Sequence, residues 1–104
     1  MKGETHDLDH LFSPRSVAVV GASSTKSFSP GTRYVQALLD SGYSGMIYPL
    51  NSSGGEVLGL KAYTSILDVP DPVDHVICCI PASHIPQLMK ECVTKRVRVV
   101  HLFT

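Results

Sequence analysis

The sequence contains no tryptophan and only three cysteines, Cys78, Cys79 and Cys92. They form no C-x-x-C pair, and two are neighbours in an apolar run whose side chains must point to opposite faces. Neither a metal site nor a redox dithiol is therefore expected, and the three read as small buried hydrophobes. Five histidines, at positions 6, 10, 75, 84 and 101, share no ligand spacing and read as surface or strand-end residues. Charge of one sign is also missing. Nine basic and nine acidic side chains cancel, so no global field favours nucleic acid or an anionic membrane, and an anionic ligand has to be held by local geometry. No apolar run approaches the ~20 residues needed to span a bilayer, and the opening Met-Lys-Gly-Glu-Thr-His-Asp lacks the apolar core of a signal peptide. The expectation is a cytoplasmic protein with neither nucleic acid nor membrane as partner. Two nucleotide motifs are absent as well. There is no G-x-G-x-x-G, and the lack of G-K-[ST] excludes a Walker-type triphosphate loop.

What is present is a chain of 104 residues with 43% hydrophobic content, enough for one core and one domain spanning 1–104. Ser16-Val-Ala-Val-Val20 is a short apolar strand that stops on Gly21-Ala22-Ser23-Ser24. Ser29 can cap a helix with Pro30 at its first position, where the missing N–H costs nothing, and Tyr34, Val35, Leu38 and Leu39 then share a face until Gly42 ends it. Ahead of the strand, Leu8, Leu11 and Phe12 suggest a short amphipathic turn. Gly45 to Leu50 is a second strand, with Pro49 pointing to an edge or terminus. Asn51 to Gly55 is a loop, and Glu56 to Tyr63 reads as an irregular excursion turning at Gly59. Ser65 to Asp68 forms one helical turn. His75 to Ile80 is apolar almost throughout, as expected of a strand covered on both faces, and Pro81 ends it. Ile85, Leu88, Met89, Cys92 and Val93 follow at i, i+3, i+4, i+7 and i+8, the clearest helix signal in the chain. Val97 to Phe103 is a fourth strand.

Strands alternating with helices predict an α/β fold, a Rossmann-like doubly wound parallel sheet of about four strands in the order two, one, three, four. The chain stops at a strand end, Thr104, where this architecture places a ligand loop and a further helix. It therefore reads as truncated after the last strand and as part of a longer protein.

In such folds ligands sit at the carboxyl ends of the strands. The N–H groups of Gly21, Ala22 and Ser23, with the hydroxyls of Ser23, Ser24 and Thr25, can hold a diphosphate next to a helix N-terminus, and Lys26 or Arg33 can supply counter-charge. A plain tight turn is the alternative. A dinucleotide site usually carries an acidic residue at the end of strand two for the ribose 2′-hydroxyl, and this chain has Asn51-Ser52-Ser53 instead, which favours a phosphorylated ribose over plain NAD. His84 lies at the start of a helix on the ligand side, where an ordinary first-turn residue accounts for it.

The ordered segments Leu11-Phe-Ser-Pro-Arg-Ser-Val-Ala-Val-Val-Gly-Ala-Ser23, Gly42-Tyr-Ser-Gly-Met-Ile-Tyr-Pro-Leu-Asn51, Leu58-Gly-Leu-Lys-Ala-Tyr63, Val73-Asp74 and Ile80-Pro-Ala82 together resemble the N-terminal CoA-binding domain of NDP-forming acyl-CoA synthetases. These enzymes are relatives of the succinyl-CoA synthetase α subunit. The resemblance covers nearly the whole chain, and it implies coenzyme A or acyl-CoA as ligand. It assigns the diphosphate to Gly21, Ala22, Ser23 and the residues just after them, and it sets Asn51, Ser52 and Ser53 by the adenosine and its 3′-phosphate. Ile80, Pro81 and Ala82 would flank the ligand, with Phe103 and Thr104 at the final strand end.

One departure stands out: the family commonly has Asn-Pro-Lys where this chain has Asn51-Ser52-Ser53. Lys26, Arg33 and Lys61 are the candidate substitutes for that lysine, and reduced CoA affinity is the alternative. In the family, acyl transfer uses a phosphohistidine of a following domain and the nucleotide is handled by an ATP-grasp region. Neither fits within 104 residues. The expectation is thus a chain with no catalysis of its own, whose partners are missing downstream domains or a subunit of an acid–CoA ligase, or of an acyltransferase built on the same domain. An NAD(H)-binding regulatory Rossmann module and a degenerate structural domain are the other readings.

Overall fold

A computed structural model describes residues 15–23 and 29–102. The expected turn at Leu8, Leu11 and Phe12, the hydroxyls of Ser24 and Thr25, the ammonium of Lys26, and Phe103 and Thr104 lie outside the described residues. The elements run β1 (Ser16–Val20), α1 (Pro30–Asp40), β2 (Met46–Leu50), β3 (Glu56–Val57), β4 (Leu60–Lys61), a 3-10 turn (Ile66–Asp68), β5 (His75–Cys78), a second 3-10 turn (Ala82–His84), α2 (Ile85–Lys95) and β6 (Val99–Leu102).

The main sheet has four strands in the order β2-β1-β5-β6, all parallel, as the sequence predicts. β1 is central, and each of its residues alternates between two faces. Ala18 packs with Val76, Cys78, Leu88 and Cys92 on the α2 side. Val17 and Val19 pack with Val35, Ile47 and Ile77 on the α1 side. The adjacent cysteines divide in the same way, Cys78 in the first cluster and Cys79 against the second. A sheet covered on both faces is what makes β1 and β5 nearly pure Val, Ile, Ala and Cys.

Both helices are shorter in their buried stripe than the sequence suggests. Val35 is fully buried, but Leu39 is 39% exposed. Leu88 and Cys92 meet the sheet, whereas Met89 is 39% and Val93 76% exposed. Each helix touches the sheet along a narrow seam, so residues one position round from it face water.

The ends are well determined. Ser29 caps α1 by accepting the Thr32 N–H, with Pro30 at the first turn. Gly42, at φ +76°, donates its N–H to Leu39 and is followed by Tyr43 donating to Leu38, a Schellman ending. α2 ends in the same way, with Arg96 donating to Val93 and Val97 to Cys92. Here, though, Arg96 rather than glycine takes the left-handed position at φ +61°. That turn delays β6 to Val99, two residues later than the hydrophobic run suggests.

The excursion from Glu56 to Tyr63 is an ordered hairpin rather than irregular chain. β3 and β4 pair antiparallel, Glu56 with Lys61 and Val57 with Leu60. The two residues between them, Leu58 and Gly59, both have positive φ, 51° and 83°, the signature of a type I′ turn. Leucine is a rare occupant of its first position, and each strand has only two residues, so the usual Asn-Gly signal is missing. Tyr63 then bridges to Leu50 and covers part of the β2 edge.

Candidate functional site

The carboxyl ends of β1, β2 and β5 are fastened to one another. Gly21 has φ +100°, and a Cβ there would lie 2.5 Å from the Cys79 carbonyl oxygen, so no other residue fits without displacing backbone. The N–H groups of Gly21 and Ala22 both donate to the Leu50 carbonyl, at 2.9 and 3.1 Å. Two donors that the sequence reading assigns to a diphosphate are thus engaged by the end of β2. Asn51 fastens the same junction from the other side. Its amide nitrogen donates to the Ala22 carbonyl at 2.9 Å, and its oxygen accepts the N–H groups of Ser53 and Gly54 at 2.9 and 2.6 Å.

The first turn of α1 is pressed onto this junction. A Cβ on Gly31 would lie 2.6 Å from the Gly21 carbonyl group, so a second glycine is required by close approach. The Thr32 hydroxyl donates to the Ser23 carbonyl at 2.9 Å and accepts from the Ser29 hydroxyl at 2.8 Å. The helix start is therefore tied to the described part of the β1 loop, Gly21 to Ser23. In the sequence Gly31 reads only as part of the Ser29-Pro30-Gly31 start of the helix; the need for a glycine there comes from the close approach of Gly21.

Beside this junction lies a cleft of about 490 Å³, within the ~300–1,000 Å³ usual for small-molecule sites. Gly21, Ser23, Asn51, Ser52 and Ser53 line one wall, and Ile80 and Pro81 another, so seven of the residues singled out in the sequence meet here. Two do not. Ala22 is fully buried beneath the loop, and Ala82 is exposed on the second 3-10 turn without lining the cleft. The counter-charge candidates also lie elsewhere. Arg33 is exposed on α1, and the Lys61 ammonium sits over the Tyr63 ring, 5.1 Å from its centre.

The far wall is foreshadowed in the sequence only by His84, on the ligand side as expected. It consists of Thr64, Ser65 and Ile66 at the first 3-10 turn, of His84 at the end of the second, and of Gln87, Leu88 and Glu91 on α2. The last four are spaced i, i+3, i+4 and i+7, a helical face that periodicity could have revealed. The hydrophobic stripe drew attention to Leu88 alone. Among the described residues that line the cleft, Glu91 is the one carboxylate, and no lysine or arginine accompanies it. Its two oxygens accept from the Ser65 hydroxyl at 3.0 Å and the Gln87 amide at 3.1 Å.

The described cysteines lie outside the cleft lining. Burial, with Cys78 and Glu91 adding to it, pushes the Cys92 thiol up to about 11. Burial, then Cys78, raises Cys79 as well. Both thiols stay protonated and inert near neutrality. No group of three or more His, Cys, Asp or Glu among the described residues is arranged to hold a metal ion. No helix among them is long and apolar enough to cross a membrane.

Comparison with known proteins agrees on the relationship. Residues 15–104 match the family described as CoA binding domain. The chain is 47% identical over 92 residues to an acetate–CoA ligase [ADP-forming] II of Archaeoglobus fulgidus, covering 88% of the chain and 14% of that protein. It is 42% identical over 101 residues to the α subunit of acetate–CoA ligase [ADP-forming] I of Pyrococcus furiosus, covering 93% of the chain and 22% of the subunit. Among solved structures, the dinucleotide forming acetyl-coenzyme A synthetase 1 of Ca. Korarchaeum cryptofilum, in complex with phosphate and ADP, superposes with a TM-score of 0.85 at 35% identity. That match covers 90% of the chain and 20% of the synthetase.

Proposed function

The chain belongs to the CoA-binding domain family, and from that premise we propose that its cleft holds the nucleotide end of coenzyme A within an ADP-forming acid–CoA ligase. The observation that carries this reading is the fastened junction of Gly21, Leu50 and Asn51 with the first turn of α1, opening on a cleft at the carboxyl ends of the central strands. This is where a doubly wound sheet receives nucleotides. A rigid junction lowers the entropy lost on binding.

In this reading the diphosphate lies against Ser23 and the start of α1, where the helix dipole favours negative charge by about 0.3–1 kcal/mol. Hydroxyls must supply the remainder. Ser52 and Ser53 face the ribose and its 3′-phosphate with neutral donors in place of the family's lysine, which weakens the domain's hold on that phosphate. The pantetheine thiol is then directed toward a partner domain or subunit that carries the chemistry. The chain spans 14% and 22% of the two ligases above, and it acts as one domain of a longer cytoplasmic protein with no catalysis of its own.

Calorimetric titration with CoA, 3′-dephospho-CoA, NAD⁺ and ADP tests this. CoA is expected to bind most tightly. A preference for NAD⁺ overturns the reading in favour of a nicotinamide-dinucleotide module. Ser23→Glu places a like charge beside the diphosphate and is expected to abolish CoA binding, and unchanged affinity would show that the β1 loop is not the site.

A further inference from the structure

The cleft poses an electrostatic problem. A ligand carrying several phosphate charges is received by a site whose described lining holds one carboxylate and no lysine or arginine. Glu91 is not an incidental surface residue. It is half-buried on the inner face of α2 and held from two sides. The Ser65 hydroxyl accepts the Leu67 N–H at 3.2 Å, so its single proton points to Glu91. Gln87, one helical turn earlier, donates to the other oxygen. A carboxylate offers about four acceptor positions, and these two partners take one each. What remains on Glu91 is acceptor capacity, in a cleft whose lining also carries the apolar Ile80 and Pro81.

A carboxylate with spare acceptor capacity repels phosphate and receives a neutral group with an N–H donor on its rim. We infer that Glu91 is the specificity-determining residue for the purine: it accepts a hydrogen bond from the 6-amino group of adenine and confines the phosphates to the β1 loop at the other side of the cleft. The inference rests on the proposed CoA site. A rigid ring suits this slot better than the pantetheine amides, because it brings its donor without the ordering of a flexible chain. The 6-oxo group of hypoxanthine presents an acceptor where adenine presents its amino group, and the one donor on that edge, N1–H, lies a ring atom away, so the inosine ring must shift to satisfy Glu91 and binds less well.

The test uses the 104-residue chain and four probes: CoA, adenosine 3′,5′-bisphosphate, inosine 3′,5′-bisphosphate and 4′-phosphopantetheine. The unsubstituted chain is expected to prefer the adenosine over the inosine compound by about tenfold, the scale of one hydrogen bond to a charged group. Glu91→Gln keeps the shape but can turn a donor toward the ring, and is expected to bring the ratio to about one or below. Ser65→Ala leaves Glu91 in place but loosens it, and is expected to reduce the ratio to about threefold. A merely destabilised fold weakens both purines equally and leaves the ratio unchanged, so an unchanged ratio in both variants overturns the inference. So does a loss confined to 4′-phosphopantetheine. If CoA and all fragments fail to bind the unsubstituted chain, the site reading itself falls, whereas CoA binding without purine selectivity removes the role of Glu91 alone.

Discussion

At the carboxyl ends of the strands the polar part of the cleft wall is made of hydroxyls, amides, His84 and Glu91, whereas at the amino ends a second cleft of about 710 Å³ carries Arg15, Lys95, Arg96 and Arg98 beside Asp71 and Asp74. Charge density alone would send a search for an anion site to the amino end. Hydrogen bonding explains why that end is charged. The Asp74 carboxylate accepts the Arg15 N–H at 2.8 Å, and Ser16 accepts the Asp74 N–H while donating to Pro72. Asp71 accepts the Tyr48 hydroxyl at 2.8 Å, and Lys95 donates to the Val69 carbonyl. These groups hold the starts of the strands. At the other end the junction is held by backbone carbonyls and one asparagine, which leaves the hydroxyls of Ser52 and Ser53 on the cleft wall. Asp71, Asp74 and Lys95 thus serve the fold, and charge by itself is a poor guide to the ligand site.

The largest effect expected from breaking this contrast is at Gly21. Gly21→Ala must push the Cys79 carbonyl away and hold alanine at a φ of +100°, which is expected to destabilise the fold by at least about 2 kcal/mol and to abolish CoA binding, as read by chemical denaturation and calorimetry. Asn51→Ala comes next. It removes three hydrogen bonds at the junction and is expected to cost about 2 kcal/mol of stability, with a matching loss of affinity. The corresponding damage at the amino end is expected to leave binding intact.

Tyr48 offers a pH handle on the amino end. Burial first, then its hydrogen bond to Asp71, pushes its hydroxyl up to about 12, and Cys92 rises to about 11 by burial. In the unfolded chain both ionise at lower pH, so the stabilisation from keeping them neutral is complete below about pH 9 and is lost as pH climbs through 9 to 12. Denaturation midpoints are therefore expected to fall over that window, and Tyr48→Phe to flatten the upper part of the decline. A decline that begins below pH 8 would assign the effect to other groups.

Smaller effects remain. Arg96→Gly relieves the left-handed backbone at the end of α2 and is expected to stabilise by about 0.5–1 kcal/mol. Arg98→Ala is expected to change stability by less than about 0.5 kcal/mol and CoA affinity by less than about twofold. A larger loss of affinity would move the ligand to the basic cleft.

Much of this architecture is legible in the sequence because local signals and burial agree. The Ser29-Pro30 start, the Gly42 stop and the unbroken apolar runs of β1 and β5 each have one physical explanation, and together they fix the strand order. The β3–β4 hairpin is hidden because Leu58 occupies a position where asparagine or glycine is expected. In the site, Gly21 and Asn51 are readable, but their roles are not. Asn51 reads in the sequence as a ligand contact; in the fold it lines the cleft and its amide also holds the loops together. Ser65 and Glu91 meet only through packing of α2 on the first 3-10 turn, across 26 positions of sequence, and no spacing rule reaches that far.

The central claim is that the fastened end of the sheet, whose described lining has no lysine or arginine, binds CoA and the basic end does not. Amide chemical shifts recorded during a CoA titration test it most directly. The account predicts saturable shifts at Gly21, Ser23, Ser52, Ser53, Ile80 and His84, with Arg15, Asp74, Arg96 and Arg98 unmoved. Shifts concentrated at the second group, or none at either, would contradict it.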